Sequence, residues 1–403
     1  MHMIKDMVEV DRRAGFTSSS IVHHANLNAS YALVTLADFD VVLGERGYRW
    51  DLLHWATLCH LLWHADVFVM FFDTRFAAPT QPEKSGVALA LLRRFGVRLI
   101  AMPNGLDVVF PNRYTSRFGF LERLQKDYPE WDLAGDAAWI RRSIQAVCQN
   151  VDFVISPDSF ASRFLTREDL RFKYCPVNTA ALKPSSHYRA KPRIVHAPNH
   201  RFIKGTDSLI VATDRLQEAG MEFDLTLVEK VPHSEALRLY ADADIIADQF
   251  CIGAFGVFAL EGLALGKPVL AYLDEEHLGD PVFNLPIVNA NPDNLERVLA
   301  ALLAVPQLRA RIGRAGREAV ERYQSIEALA EVWAQLYRHV WWGEPLLLEQ
   351  TRHFSPERKP RSFTEDPAHG DFWPVPVDDL LPKIHAALER LVTADRSELV
   401  VVS

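Results

Sequence analysis

Cysteine is scarce in this chain. Four residues, Cys59, Cys148, Cys175 and Cys251, are scattered over 403 positions. No two stand in a CxxC spacing, which argues against a disulfide framework or a zinc site and for a reduced, cytoplasmic setting. Excess positive charge is lacking too: 44 Lys and Arg face 52 Asp and Glu, a formal net charge of −8. Without a basic face to neutralise phosphates, nucleic acid is not an expected partner. No clean apolar run is long enough to span a bilayer. The most apolar stretch, "WATLCHLLWHADVFVMFF" at 55–72, is interrupted by His60, His64 and Asp66, whereas a membrane span wants about 20 apolar residues. It reads as a helix entering a buried strand, and contact with a membrane surface is left open. The N-terminal "MHMIKDMVEVDRRAG" carries charge where a signal peptide needs an apolar core, so none is expected.

What is present fits a soluble globular chain of two domains: 49% hydrophobic and 24% charged residues over 403 positions. Apolar strand-like runs alternate with helical ones, the mark of α/β architecture with parallel sheets and crossover helices. In the first half the predicted strands are "YALVT", "DVFVMFF", "VRLIAM" and "VDFVIS", and the predicted helices cover about 51–62, 86–95, 137–149 and 159–166. The opening is unusual. "DMVEVDRRAGFTSS" reads as the interior of a first helix, with the customary opening strand and glycine-rich turn absent. The first domain is set at 1–180. Prolines and polar residues in "PVNTAALKPSSHYRAKP", 176–192, make a linker.

A second domain, 190–342, begins with the strand "RIVHA" and the helix "TDSLIVATDRLQEAG". Thr206 can cap that helix, Leu209, Ala212, Thr213 and Leu216 share a face, and Gly220 marks its stop. "FDLTLVE", "DIIAD" and "PVLAY" are further strands, "PHSEALRLYADA" and "GVFALEGLALG" further helices, and 292–342 is helical throughout. Residues 343–403 form an extension rich in proline and charge that ends in one more helix and packs back on the first domain.

Two places carry chemistry. In "APNHRFIKGTD", 197–207, Arg201 and Lys204 lie between a strand and a helix, beside Gly205. Ligands of open α/β sheets bind at the carboxyl ends of strands, and a helix N-terminus attracts phosphate. Lys204 adds a point charge and Arg201 a forked donor set, while Gly205 would let backbone approach a ligand. A solvated basic turn is the bland alternative. In "FCIGAFGVFALEGLALGKPV", Glu261 is the one carboxylate of an apolar helix, and a buried charge without a partner costs several kcal/mol. A ribose diol could supply the donors, or an arginine from another helix could. Gly253 and Gly256 precede that helix, so backbone N–H groups can face a second part of a ligand.

Together, "R-x-x-K-G" after a strand, a later "Y-x-x-A-D-I" and then "F-G-x-x-x-L-E-x-L-A-x-G-K-P-V" resemble the sugar-donor domain of GT-B glycosyltransferases. The likeness is greatest to the retaining family 4, glycosyl transferases group 1. It covers about 193–340; "PNGLDVV" and "FVISPDSFASRFL" are similar to acceptor-domain segments of that family. The resemblance implies two Rossmann-like domains with parallel sheets facing across a cleft. It also implies a nucleotide-diphosphate sugar as donor substrate, no cofactor and no metal, and an acceptor that is a glycan, a lipid-linked or a small molecule. It places Lys204 on the donor diphosphate, with Arg201 in support, and Glu261 on the ribose. Asn199, Gly205, Gly253, Phe255, Gly256 and Val257 complete the donor site. Two positions depart from the pattern: Gly253 stands where the first glutamate of the family pair would fall, and Asn199 where the family arginine would. A GT-B sugar-nucleotide epimerase and a degenerate homologue that binds nucleotide sugar or scaffolds a partner are the alternatives.

Weaker signals remain. Asp242-x-Asp244 could be a metal pair but reads as turn chemistry; His60 and His64 have a metal spacing on a helix but no third ligand. Asn104 and Asp107 follow a strand and could bind the acceptor or simply form a turn. Arg309, Arg311, Arg314 and Arg317 read as a solvated helix face, with an anionic membrane surface as the sharper option. Trp341 and Trp342 are expected to pack between domains.

Overall fold

The computed structural model describes residues 2–23, 40–43, 50–72, 82–104, 107–108, 118–129, 133–157, 159–162, 164–185, 189, 191–274 and 285–346. The predicted strand at 31–35 and the extension beyond 346 lie outside the described residues.

The chain opens on α1 (His2–Arg13), followed by a two-stranded parallel sheet of β1 (Ile21–His23) and β2 (Val41–Leu43). Next come α2 (Trp50–His64), β3 (Val67–Phe71), α3 (Pro82–Arg94), β4 (Arg98–Met102), α4 (Phe120–Asp127), α5 (Leu133–Asn150), β5 (Phe153–Ser156), the short α6 (Ser159–Ser162) and β6 (Leu170–Arg171). Strands β3, β4, β5 and β6 form one parallel sheet in that order. Side chains on a strand point alternately to opposite faces, and both faces here are buried. Leu99, Ala101 and Val154 face the helices α2, α3 and α5; Ile100, Met102, Phe153 and Ile155 face the other layer. That is why "VRLIAM" and "VDFVIS" are apolar almost without interruption.

The second half holds β7 (Arg193–His196), α7 (Arg201–Lys204), α8 (Thr206–Glu218), β8 (Asp224–Leu227), α9 (His233–Ala241), β9 (Ile245–Ala247), α10 (Val257–Ala264), β10 (Val269–Ala271) and β11 (Ile287–Asn289). These strands make a five-stranded parallel sheet ordered β11-β10-β9-β7-β8. Ile194, Ile245, Ala247 and Leu270 point to one layer, Val195, Ile246, Val269 and Ala271 to the other. As predicted, Leu209, Ala212, Thr213 and Leu216 are the buried face of α8, and Gly220 at φ 86° follows its end. Thr206 does not cap the helix: Gly205 occupies that position, and the threonine hydroxyl bonds His196 instead. Strand β11, α4 and the four-residue α7 are additions to the predicted elements.

The helical tail divides into α11 (Leu295–Ala304), α12 (Pro306–Tyr323) and α13 (Ile326–Trp342). Pro306 starts α12 because its missing N–H is not needed in a first turn. Helix α13 crosses back to the first sheet. Leu329, Trp333 and Leu336 pack with Val10, Ile100 and Ile155, Trp333 stacks on Tyr174 at 3.8 Å, and Tyr337 donates to Asp11 at 2.9 Å. Trp341 lies under the Arg98 guanidinium, 5.9 Å from its ring centre, but Trp342 is exposed rather than packed between the halves. The arginine run also departs from the solvated face expected of it. Arg309 is fully buried and gives its guanidinium to the carbonyls of Leu302 and Leu303, closing the C-terminal end of α11. Arg317 binds the carbonyls of Thr179, Leu182 and Ala264. Two of the four arginines thus serve orphaned backbone oxygens, which periodicity cannot reveal.

Candidate functional site

The site grows from the carboxyl ends of β7 and β9. After β7 the chain passes through Ala197–His200 into α7, then turns at Gly205 (φ 76°) directly into α8. A Cβ at Gly205 would sit 2.9 Å from Cys251 Sγ and 3.1 Å from Phe250 Cβ. The side of the glycine where a side chain would stand is thus filled by Phe250 and Cys251 of the loop after β9. Lys204 ends α7, and its carbonyl accepts from Phe250 N at 3.0 Å, fixing the backbone against the loop after β9.

The Lys204 ammonium donates to Asp248 at 3.4 Å and to the Gln249 side-chain oxygen. Asp248, 1% exposed, accepts the Gly256 N–H at 2.9 Å with its other oxygen. Gly256 is the N-cap of α10 and brings no side chain to its first turn. A Cβ there would lie 3.5 Å from Lys204 Nζ, so the cation stands at the start of α10, where the helix end is itself electropositive. Asp248 organises this convergence, neutralising the ammonium while holding the helix N-terminus to it. Of the three donors on the ammonium, these contacts use two.

Glu261 lies five residues further along α10, about 7–8 Å of helix rise. Its carboxylate is 11% exposed and meets His233 Nε2 at 2.6 Å. The partner is thus a histidine at the first turn of α9, not an arginine. Asp6 of α1 faces the same place: burial, then the nearby Glu261, push its carboxyl up to about 6, with His233 pulling the other way. The first half therefore reaches the neighbourhood of Glu261. None of Asp6, His233, Asp248 and Gln249 belongs to the glycine-lysine-glutamate pattern. Asp248, an acid at the end of a strand opposite Lys204, was the one that strand assignment alone could have flagged.

Other expected residues lie as follows. Arg201 is exposed and its fork is turned onto Glu229, with Nε to Oε1 at 2.8 Å, which raises the guanidinium pKa and lowers that of the carboxylate. The guanidinium thus pairs with Glu229, while the Lys204 ammonium is bound by Asp248 and Gln249. Asn199 is exposed in the turn before α7. Gly253 adopts φ 86°, Phe255 is buried under the Lys173 ammonium at 5.2 Å, and Val257 starts α10. In the first half, Asp107 accepts from the backbone N–H of Asn104 at 2.9 Å and of Phe72 at 3.1 Å, so it pins the ends of β3 and β4, with Asn104 exposed beside it. Asp242 and Asp244 are taken up by Arg189 and Arg193.

Beneath the site, His196 is fully buried. Its Nδ1 lies 2.7 Å from the Ala247 carbonyl and its Nε2 2.8 Å from the Thr206 hydroxyl, tying β7 to β9 and α8. Burial pulls its pKa down to about 4. The unfolded chain, with an ordinary histidine pKa near 6.5, binds the proton first, so the stabilisation is complete above about pH 6.5 and is lost as the pH falls toward 4. The His196-dependent loss should approach about 3 kcal/mol. Urea midpoints at pH 7 and 5 check this: the wild type should lose more than His196→Asn, and equal losses would refute it.

Neither a family model nor a curated protein sequence matches the chain. Solved structures do. Sucrose-phosphate synthase from Thermosynechococcus elongatus is similar at 19% identity and a TM-score of 0.52, over 75% of this chain and 82% of that one. Anabaena HepE in complex with UDP-glucose is 12% identical, with a TM-score of 0.54, over 82% and 95%. An alpha-glucosyltransferase in complex with UDP-glucose and DNA containing an abasic site is 8% identical, with a TM-score of 0.51, over 80% and 92%. At these identities the likeness speaks for architecture, and it agrees with the four- and five-stranded parallel sheets. The chain has the GT-B fold, two Rossmann-like halves each built on a parallel sheet.

Proposed function

We propose that the protein is a glycosyltransferase that moves a sugar from a nucleotide-diphosphate sugar to an acceptor. The carrying observation is the meeting of the Lys204 ammonium with the N-terminus of α10, the helix that also bears Glu261. As the bond from the sugar to the diphosphate breaks, negative charge grows on the leaving oxygens. Lys204 and the first N–H groups of α10 are held where such charge is stabilised without rearrangement. Glu261, beside His233, would take the ribose hydroxyls.

The order of motifs favours retaining family 4, hence retention of configuration, with the acceptor deprotonated against the donor phosphate and no metal or side-chain base required. Asn104 and Asp107, at the end of β4, are the proposed acceptor contacts. Among the described residues no helix is long and apolar enough to cross a membrane, so a lipid-linked acceptor would be met at a membrane surface.

A thermal-shift screen of UDP-, GDP-, ADP- and TDP-sugars tests the reading. UDP-glucose comes first, since HepE and the alpha-glucosyltransferase were each solved with it. At a hundredfold excess over Kd, a bound donor adds about 2.7 kcal/mol to stability, and one nucleotide class should raise Tm by several degrees. Absence of a shift with all four would reject the proposal.

A further inference from the structure

The short helix that carries Lys204 is held by the other half of the molecule. Ile203 is buried in the core of the first half, in the cluster that contains Phe120 and Leu124 of α4. Asp127, the last residue of α4, accepts the N–H of Ile203 at 2.7 Å and of Phe202 at 3.2 Å, satisfying two donors that a helix start leaves open. Arg123, one turn earlier on α4, reaches the Phe202 carbonyl at 3.1 Å and the Asp207 carboxylate at 2.7 Å. It thus spans from α7 to the first turn of α8. Tyr128 lies against His200 with ring centres 4.6 Å apart, and the Lys126 ammonium stands 5.3 Å over the Phe202 ring. On the opposite side, the Lys204 carbonyl and ammonium are bound to Phe250, Asp248 and Gln249 of the second half.

The segment 200–205 is therefore gripped from two directions. Moving the halves apart would either strip Ile203 and Asp127 from each other or drag Lys204 from the start of α10. From this we infer that α4 of the first half, acting through Asp127 and Arg123, positions Lys204 in the diphosphate site. Asp127 is a positioning residue: it touches the Lys204 segment, not the donor. The inference deepens the glycosyltransferase reading and rests on Lys204 binding diphosphate.

The test compares affinity for UDP with affinity for uridine, measured by calorimetry or competition on the full chain. Uridine lacks the diphosphate and should not sense Lys204. Asp127→Ala should weaken UDP at least tenfold and leave uridine unchanged. Asp127→Asn, whose amide oxygen can still accept one of the two N–H bonds, should lose less, and it carries the same comparison if the alanine variant does not fold. Lys204→Gln is the reference. If Lys204→Gln loses UDP while both Asp127 variants bind it like wild type, the positioning inference fails and the diphosphate site stands. Parallel loss of UDP and uridine in the Asp127 variants also overturns it, because that is the mark of general destabilisation. If Lys204→Gln binds UDP normally, the diphosphate reading falls and this inference with it.

Discussion

Replacing Lys204 by alanine is expected to lower kcat/KM for the sugar-nucleotide donor by two orders of magnitude or more. A charge-assisted bond to an ionised group is worth about 1.5–3 kcal/mol, and a hundredfold in rate corresponds to about 2.7 kcal/mol. The effect falls on turnover as well as binding, because charge on the leaving diphosphate is greater in the transition state than in the bound donor. The substitution has a second consequence that must be separated from the first. It removes the cation beside Asp248, leaving a buried carboxylate with the Gly256 N–H but no compensating charge. The double variant Lys204→Met/Asp248→Asn resolves the two. If Lys204 serves only as a counter-ion, removing both charges restores stability and activity together. If it stabilises the leaving group, the double variant melts close to the wild type and stays inactive. Donor turnover alongside the melting temperature decides it, and recovery of activity would sink the catalytic role.

The chemistry of the donor half could be read in the sequence because it is local. Lys204 and Gly205 lie between a strand and the helix that follows it, and Gly256 and Glu261 lie at the start and in the body of one helix, so order and spacing alone put the cation and the carboxylate on the same edge of a parallel sheet. The partners that hold them are remote in the chain. His233 is 28 positions from Glu261 and Asp127 is 76 from Ile203, and no periodicity links them. Arg201, too, has a partner remote in the chain. Its type and place suit phosphate, but the geometry at the end of β8 gives its fork to Glu229. The buried Arg309 illustrates the same limit, since a solvated arginine and one that closes a helix end look alike until the packing is known.

Gly313→Ala is expected to be among the most damaging substitutions of a single methyl group. Gly313 lies on α12 where that helix crosses the end of α10, and a Cβ there would overlap the Gly266 carbonyl oxygen and stand 2.7 Å from the carbonyl carbon. The obstacle is backbone, and Gly266 is itself held in the left-handed region (φ 71°) with Pro184 against it. No side chain can swing away, so α12 must separate from α10. Three residues on, Gly316 is the control: its Cβ would meet the tip of the Leu263 side chain at 2.7 Å, which another rotamer can relieve. Overpacking of a relieved kind costs about 1–3 kcal/mol, and Gly313→Ala should exceed it, at about 4 kcal/mol or failure to fold. Because α10 carries both Gly256 and Glu261, a folded Gly313→Ala protein should also bind donor more weakly, whereas Gly316→Ala should keep most of its affinity. Melting temperatures for the two variants, followed by donor titration of whichever folds, check both halves of the expectation. A Gly313→Ala protein as stable as Gly316→Ala would mean that the two helices do not meet backbone to backbone and that α12 does not fix the helix on which the proposed donor site stands.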